Sequence, residues 1–308
     1  MTAVGETASG TASVPVVSCL GVPVTAHTRE GAARRVVHRA LHTREAREAH
    51  RSAQAGTAAF APAGSDVHLC NAYTLALADR DPALLRTLRS AFLNLADGQP
   101  VVWANQLLHR GTALPRGRVY GPDLMLDVFS MSQGTGLRHY LLGSTPEVLA
   151  ALQRELRRRF PGAVLAGSCS PPFRSLTAQE LRDQEEDIRT RGADIVWVGL
   201  GTPLQDHRAA ELSAALPVVT MAVGAAFDFI AGSKRQAPSW MQQGGLEWLF
   251  RLGCEPRRLW RRYLFGNARF VGGAVRQAVR RQAPRASAPP ALPSDVGTGL
   301  TGRREGAR

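Results

Sequence analysis

The sequence contains no closely spaced pair of cysteines, which argues against two classes of function, zinc binding and thiol redox chemistry. Its four cysteines form no Cys-x-x-Cys pair and have no clustered histidine partners; they are Cys19, Cys70, Cys169 and Cys254. Zinc sites and redox motifs are therefore only weakly indicated, and we expect four buried, reduced thiols. We predict no metal site and no cofactor.

Long apolar runs are also missing. A membrane-spanning helix needs about 20 consecutive apolar residues, and the most apolar stretch, residues 217–232, is shorter and contains Asp228. Residues 1–15 lack the basic and apolar regions of a secretory signal. We therefore expect a cytoplasmic protein whose contact with membranes, if it has any, is peripheral.

Charge is the unusual feature of this chain of 308 residues, because its 44% apolar and 20% charged content is that of ordinary globular proteins. Residues 234–308 carry 15 basic and 4 acidic side chains, so most of the net charge of +13 lies there. Lys234 is the only lysine, and arginine suits phosphate because its planar group bonds two oxygens at once. Nucleic-acid binding through this region is an alternative hypothesis, but no known nucleic-acid-binding motif supports it, so we predict no nucleic-acid partner.

Apolar runs alternate with helix-length amphipathic segments between residues 138 and 224. This alternation predicts parallel strands joined by right-handed helical crossovers, hence an α/β fold with a Rossmann-like parallel sheet flanked by helices. We expect an N-terminal α/β half over about residues 16–135, a Rossmann-like half over about 136–245, and an amphipathic helical appendage over 246–283. Residues 1–15 and 284–308 are expected to be disordered tails because of their composition.

Glycines follow the predicted strands at the edge where parallel sheets bind ligands. Gly143, Gly199 and Gly201 stand there, each before a predicted helix whose N-terminal N–H groups favour phosphate. Glycine after a strand is also common in tight turns, so these residues alone leave nucleotide binding open. None of these predicted strands is followed by the Gly-x-Gly-x-x-Gly fingerprint, which disfavours a nicotinamide-dependent oxidoreductase, and the chain contains no P-loop pattern.

One acidic residue leaves an apolar strand in the first half of the chain. The run LNLADG ends in Asp97-Gly98, and a carboxylate at such a strand exit commonly faces a cleft. Asp-Gly is also a frequent turn dipeptide, so the spacing alone does not separate a catalytic role from a structural one.

Seven colinear motifs resemble the WecG/TagA/CpsF glycosyltransferases over about residues 16–265. They are CNAYTLALADRDP (70–82), LADGQPVVW (95–103), RVYGPDLM (118–125), LLGS (141–144), WVGLGTPLQD (197–206), AVGAAFDFIAGSKRQAP (222–238) and GLEWLFRLGCEPRRLWRRYL (245–264). The resemblance implies an enzyme that moves a sugar, typically of the N-acetylmannosamine type, from a UDP-sugar donor to a polyprenyl-diphosphate-linked sugar acceptor. Such enzymes build cell-wall polymers and exopolysaccharides on the inner face of the plasma membrane.

The resemblance further implies inversion without a divalent metal, and we predict no Asp-x-Asp pair that holds a metal against a diphosphate. Leu69 stands where the family often has threonine, which removes a hydroxyl group from the expected pocket. UDP-glucose and UDP-glucuronic acid are therefore alternative donors.

The resemblance assigns four pocket residues, each of which has a structural alternative. Asp97 would be the general base that takes the proton of the acceptor hydroxyl. Arg118 would face the diphosphate leaving group or, alternatively, pair with Asp123. Asn71 would orient a sugar or merely cap a helix, and Gln205 would line the pocket or lie exposed in the first turn of a helix.

The appendage, residues 246–283, interleaves apolar and basic residues, which is typical of a helix lying on an anionic membrane. By the resemblance, Arg251, Arg258 and Arg261 would reach the active site and contact the diphosphate of the donor or of the acceptor. The alternative is an arginine-rich helix with solvated charges. The resemblance also allows a homo-oligomer that covers the appendage when no membrane is present.

Overall fold

The computed structural model describes residues 14–53 and 63–282. These ranges form eight strands: β1 (Val16–Cys19), β2 (Val22–Thr25), β3 (Ser65–Cys70), β4 (Leu93–Ala96), β5 (Arg138–Gly143), β6 (Val164–Cys169), β7 (Ile195–Gly199) and β8 (Val219–Ala222). The tails that we predicted at 1–15 and 284–308 lie outside the described residues, apart from residues 14 and 15.

Twelve helices accompany these strands within the same ranges. They are α1 (Arg29–Ala53), α2 (Ala72–Ala78), α3 (Pro82–Ser90), α4 (Gln99–Leu108), α5 (Gly121–Ser132), α6 (Pro146–Arg159), α7 (Ala178–Thr190), α8 (Leu204–Ala215), α9 (Ala226–Ile230), α10 (Ser239–Gln243), α11 (Glu247–Cys254) and α12 (Pro256–Gln282). None of the described helices is both long enough and apolar enough to cross a bilayer.

Six strands form one parallel sheet in the order β4-β3-β8-β7-β5-β6, which confirms the predicted Rossmann-like architecture. Two of the inner strands, β3 and β8, are buried along their whole length, as expected of a sheet covered by helices on both faces. One apolar cluster on the sheet joins α1, α5, α6 and α9, and another joins β7 and β8 to α7 and α8.

Capping residues explain where several helices begin. Thr145 accepts a hydrogen bond from the N–H of Val148, and the next residue, Pro146, opens α6. Thr177 and Glu180 form a reciprocal capping box at the start of α7. These starts fix the strand-to-helix loops at the carboxyl edge of the sheet, where the cavity described below opens.

The C-terminal helices pack against the N-terminal half. One face of α12 is buried through Leu259, Tyr263 and Phe270. Phe270 belongs to an apolar cluster with the β1–β2 hairpin, α2, α3 and α4. The helical appendage expected over 246–283 contains two helices, α11 and α12. It divides at Glu255, whose backbone leaves the helical region, because Pro256 has no N–H to continue the hydrogen bonding of α11.

The cysteines differ from the expectation of four buried thiols. Cys19 and Cys70 are buried, and burial raises the pKa of Cys19 to about 12. Cys169 is half-buried because it ends the edge strand β6, and Cys254 is exposed at the end of α11. The prediction was therefore wrong for Cys169 and Cys254.

Candidate active site

A cavity of about 1000 Å³ lies at the carboxyl edge of the parallel sheet. The first residues of α2, α4, α5, α8 and α9 line it, together with residues of α11 and α12. Helix N-termini carry unpaired N–H groups and a partial positive charge, so this convergence favours a ligand with negative charge. The cavity thus lies where a parallel sheet of this kind is expected to bind its ligand.

Asp97 lies on the wall of this cavity, directly after β4. Its Oδ1 accepts a hydrogen bond of 3.0 Å from the N–H of Gly121, at the start of α5. The packing is tight there: a Cβ on residue 121 would come within 2.9 Å of the end of the Leu69 side chain and 3.3 Å of the Val223 carbonyl oxygen. The backbone of a neighbouring element therefore fixes the orientation of this carboxylate.

Burial raises the pKa of Asp97 to about 6, from an ordinary value of 3.8. Arg118, the Gly121 N–H and Arg251 oppose this increase, and the negative charge of Glu247 adds to it. A carboxylate with a pKa near 6 is ionised at neutral pH and still basic enough to accept a proton, which is the property of a general base.

Arg118 lies beside Asp97 but is bound to the appendage. Its Nη1 donates to Glu247 Oε2 at 2.6 Å, and its Nη2 donates to Gln242 Oε1 at 3.0 Å. The guanidinium also stacks over the ring of Tyr120, 4.0 Å from its centre. The structural alternative, a pair with Asp123, is wrong: Asp123 pairs with Arg29, because both lie on the exposed side of the packed helices α1 and α5.

Asn71 both lines the cavity and caps α2. Its Oδ1 accepts hydrogen bonds from the N–H groups of Tyr73 and Thr74, at 3.0 and 3.1 Å. Its Nδ2 donates to no other side chain or backbone group of the described residues. Capping fixes the side chain at the cavity wall, so the two roles weighed for Asn71 are compatible.

Gln205 is buried, so its interpretation as an exposed first-turn residue is wrong. Its Oε1 accepts from the Gly201 N–H at 3.0 Å, and its Nε2 lies 3.4 Å from Thr202 Oγ1. The side chain thereby closes the loop between β7 and α8, and it contributes to the cavity wall. A backbone contact again fixes a pocket side chain.

The three predicted glycines differ in position. Gly199 and Gly201 line the cavity, and Gly201 has a positive φ of 81° in the loop that Gln205 closes. Gly143 is buried behind the wall, where an added Cβ would come within 2.5 Å of the Gly199 carbonyl oxygen. Its neighbours Ser144 and Thr145 line the cavity instead.

The three appendage arginines also differ. Arg251 lines the cavity, stacks over Phe229, and forms no ion pair with a carboxylate of the described residues. Arg261 is exposed beside Trp260 and does not reach the cavity, because it lies on the outer face of α12. The side chain of Arg258 lies outside the part of the structure that is described.

Sequence reasoning missed several charged and polar groups of the site. Glu247 and Lys234 line the cavity. Gln242 accepts a hydrogen bond from Arg118, and Tyr120 donates to Glu247 Oε1 at 3.3 Å. Glu247 and Lys234 lie inside two of the motifs quoted above. No other sequence signal pointed to these two residues, because their contacts connect parts of the chain that are far apart in the sequence.

The chain contains one Asp-x-Asp pattern, Asp79-Arg80-Asp81, and its contacts are structural. Asp79 Oδ2 accepts from Arg276 at 2.7 Å, and Asp81 caps α3 through the N–H groups of Ala83 and Leu84. Neither aspartate lines the cavity. Across residues 14–53 and 63–282, no three His, Cys, Asp or Glu side chains are grouped so that they would hold a metal ion.

A basic carboxylate and an arginine that has no carboxylate partner among the described residues both lie at the carboxyl edge of a parallel sheet, which suits a group-transfer enzyme with a phosphate-bearing donor. The protein-family comparison agrees with this class: residues 17–284 match the Glycosyl transferase WecG/TagA/CpsF family, and the chain belongs to it. It is therefore a glycosyltransferase of cell-wall glycopolymer synthesis, with a sugar-nucleotide donor and a lipid-linked sugar acceptor. The nicotinamide and nucleic-acid hypotheses are set aside.

Proposed function

We propose that this enzyme transfers a sugar of the N-acetylmannosamine type from UDP to a sugar linked to polyprenyl diphosphate, with inversion and without a divalent metal. The observation that carries this proposal is Asp97, a cavity carboxylate held by a backbone N–H and with a pKa raised to about 6. An inverting transferase needs one such base, because the acceptor oxygen displaces the leaving group in a single step.

In the proposed step, the Asp97 carboxylate takes the proton from the acceptor hydroxyl as its oxygen bonds to the anomeric carbon. The bond between that carbon and the diphosphate breaks, and its electron pair leaves with UDP. Negative charge therefore grows on the diphosphate in the transition state. Arg251 and Lys234, which line the cavity, and the N-termini of α8 and α9 supply positive potential for that charge.

The choice of sugar is proposed to depend on Leu69, which lines the cavity. Leu69 lies in the cavity beside Asn71, where the family often has threonine, so one hydroxyl is absent from the expected sugar contacts. UDP-glucose and UDP-glucuronic acid are for this reason the alternative donors. The enzyme class is the same for all three.

A transfer assay with purified full-length protein tests this function. The donors are radiolabelled UDP-N-acetylmannosamine, UDP-glucose and UDP-glucuronic acid, and the acceptor is a short-chain prenyl diphosphate carrying N-acetylglucosamine. We expect label in the lipid phase from the N-acetylmannosamine donor. Product from another donor alone would replace the proposed sugar, and no product from any donor would contradict the proposed substrates.

We further propose that α12 holds the enzyme on the inner face of the plasma membrane. Its outer face carries one exposed apolar stripe at helical spacing: Trp260, Leu264, Val271, Val275 and Val279. Exposed arginines follow the stripe: Arg257, Arg261, Arg269, Arg276 and Arg280. Apolar side chains beside cations suit an anionic bilayer, and we expect the same stripe to drive self-association when lipid is absent.

Vesicle sedimentation tests the membrane proposal. The double variant Leu264→Glu, Val271→Glu should bind phosphatidylglycerol-containing vesicles at least about tenfold more weakly, since each buried aliphatic side chain contributes roughly 1.5–3 kcal/mol. Val164→Glu, on the distant edge strand β6, is the matched control and should bind normally. Unchanged binding of the double variant would remove α12 from membrane contact.

A further inference from the structure

The arginine nearest to the base is bound to a carboxylate that belongs to the appendage. Arg118 Nη1 lies 2.6 Å from Glu247 Oε2 and 3.5 Å from the backbone oxygen of Asp97. The side chains of Arg118 and Glu247 are only 13% and 12% exposed, so solvent screens this pair weakly. The Asp97 carboxylate is not an ion-pair partner of Arg118.

Two further contacts hold this arrangement in place. Gln242, in α10, accepts a hydrogen bond from Nη2 of the same guanidinium. Tyr120 stacks against the guanidinium with its ring and donates its hydroxyl to the second oxygen of Glu247. Both terminal nitrogens of the Arg118 guanidinium are thus held by Glu247 and Gln242, and neither forms a hydrogen bond with the Asp97 carboxylate.

An untied arginine at this position would have a nearby alternative partner. Arg118 is 21 residues from Asp97 along the chain and already touches its backbone, so a change of side-chain rotamer would bring the two charges together. An Asp97–Arg118 ion pair would stabilise the ionised carboxylate and weaken it as a base.

We propose that Glu247 is a positioning residue of the active site, which holds Arg118 away from the Asp97 carboxylate and so leaves that carboxylate free to take a proton from the acceptor hydroxyl. This inference rests on the proposed role of Asp97. The basicity of the Asp97 carboxylate then depends on one side chain of α11.

The groups around Asp97 support this role. Arg118, in the segment before α5, and the N–H of Gly121, the first residue of α5, lower its pKa; from α11, Glu247 raises it and Arg251 lowers it. Burial is the main cause that raises the pKa of Tyr120 and of Cys70, and the negative charge of the nearby Asp97 adds to each increase. Glu247 is therefore the nearby negative charge that offsets the two arginines.

Carboxyl titration by NMR tests the proposal without any substrate. Full-length protein is labelled with ¹³C at the aspartate carboxyl groups, and the Asp97 signal is identified by its loss in Asp97→Asn. In Glu247→Gln we expect the titration midpoint of Asp97 to fall by about half a unit to one unit, because a negative charge is lost and Arg118 is released. The control Glu255→Gln removes a carboxylate at the end of the same helix, which pairs with Lys234, and should leave the midpoint unchanged.

An unchanged midpoint in Glu247→Gln would overturn the proposal. If that variant does not fold, Gln242→Ala provides the second test: it releases one of the two bonds on Arg118 and should lower the midpoint by a smaller amount, and no change would again overturn it. In the transfer assay, Glu247→Gln should have a lower kcat at pH 8. The loss of activity on acidification should begin at a lower pH than in the wild-type enzyme. Absence of transfer by the wild-type enzyme would contradict the proposed function, while the titration would still decide the role of Glu247.

Discussion

The two walls of the cavity are held in different ways. On the sheet side, backbone N–H groups fix the side chains of Asp97, Asn71 and Gln205. On the appendage side, side chains hold one another, as in the pairs of Glu247 with Arg118 and of Glu255 with Lys234. The sheet side is therefore preorganised by the fold itself, whereas the appendage side depends on charges that substitution or pH can change.

The largest loss of activity is expected on the sheet side of the cavity, from Asp97→Asn. The amide cannot accept the proton of the acceptor hydroxyl, so kcat should fall by roughly 10²–10⁴. UDP affinity, measured by calorimetry, should stay within a few-fold of wild type, because the amide oxygen still accepts the Gly121 N–H. Near-normal transfer by this variant would remove Asp97 from the chemistry.

A smaller loss is expected on the appendage wall from Arg251→Ala. A charge-assisted bond to a phosphate contributes about 1.5–3 kcal/mol, so UDP affinity should fall by about tenfold to a hundredfold. Arg154→Ala, on the exposed face of α6, is the matched control. Equal UDP affinity in the two variants would place the diphosphate away from the appendage wall.

Groups from both walls of the cavity influence the pKa of Asp97 and therefore the pH dependence of transfer. The pKa of Asp97 is raised, so the carboxyl group becomes protonated as the pH falls through about 6 and can no longer act as a base. We expect kcat/KM to be level above about pH 7 and to fall about tenfold per unit below 6. An acid limb near pH 4 would show that Asp97 is not buried as described.

The smallest effect on transfer is expected behind the sheet wall, at the buried His68. Its Nε2 lies 2.9 Å from Asp66 and its Nδ1 3.0 Å from Asp206. Burial alone would lower the pKa of His68, but the bonds to Asp206 and Asp66 outweigh it and raise the pKa to about 9. The imidazolium thus stabilises the fold fully below pH 6.5, and this stabilisation is lost as the pH rises through about 9.

His68→Gln should lower the unfolding free energy by about 1–3 kcal/mol at pH 6 and by less at pH 10, measured by urea unfolding. The buried His139 is the matched control, because burial lowers its pKa to about 3. The cost of His139→Gln should therefore be the same at both pH values. An equal cost of His68→Gln at pH 6 and pH 10 would show that His68 is not charged in the fold.

Much of the sheet wall could be predicted from the sequence. Apolar runs between residues 138 and 224 marked β5, β7 and β8, and the amphipathic segments between them marked the helices. These are local signals, since a strand needs a buried run and a helix needs a cap and a period. The place of Asp97 at a strand exit followed from the same signals.

The appendage wall could not be predicted in this way, because its contacts connect distant residues. Arg118 and Glu247 are 129 positions apart, and local spacing suggested Asp123 as the partner instead. Periodicity placed Arg261 among the basic residues of the appendage but not on a side of the helix. Only the packing of Leu259, Tyr263 and Phe270 against the N-terminal half turns Arg261 away from the cavity.

The most direct test of the central claim is the anomeric configuration of the transferred sugar. The purified enzyme is supplied with the donor that the transfer assay selects, and the glycosidic linkage of the product is determined by NMR. A single displacement assisted by Asp97 predicts a configuration opposite to that of the sugar in the nucleotide donor. A retained configuration would contradict the account, because it requires a different arrangement of catalytic groups from the one that this cavity holds.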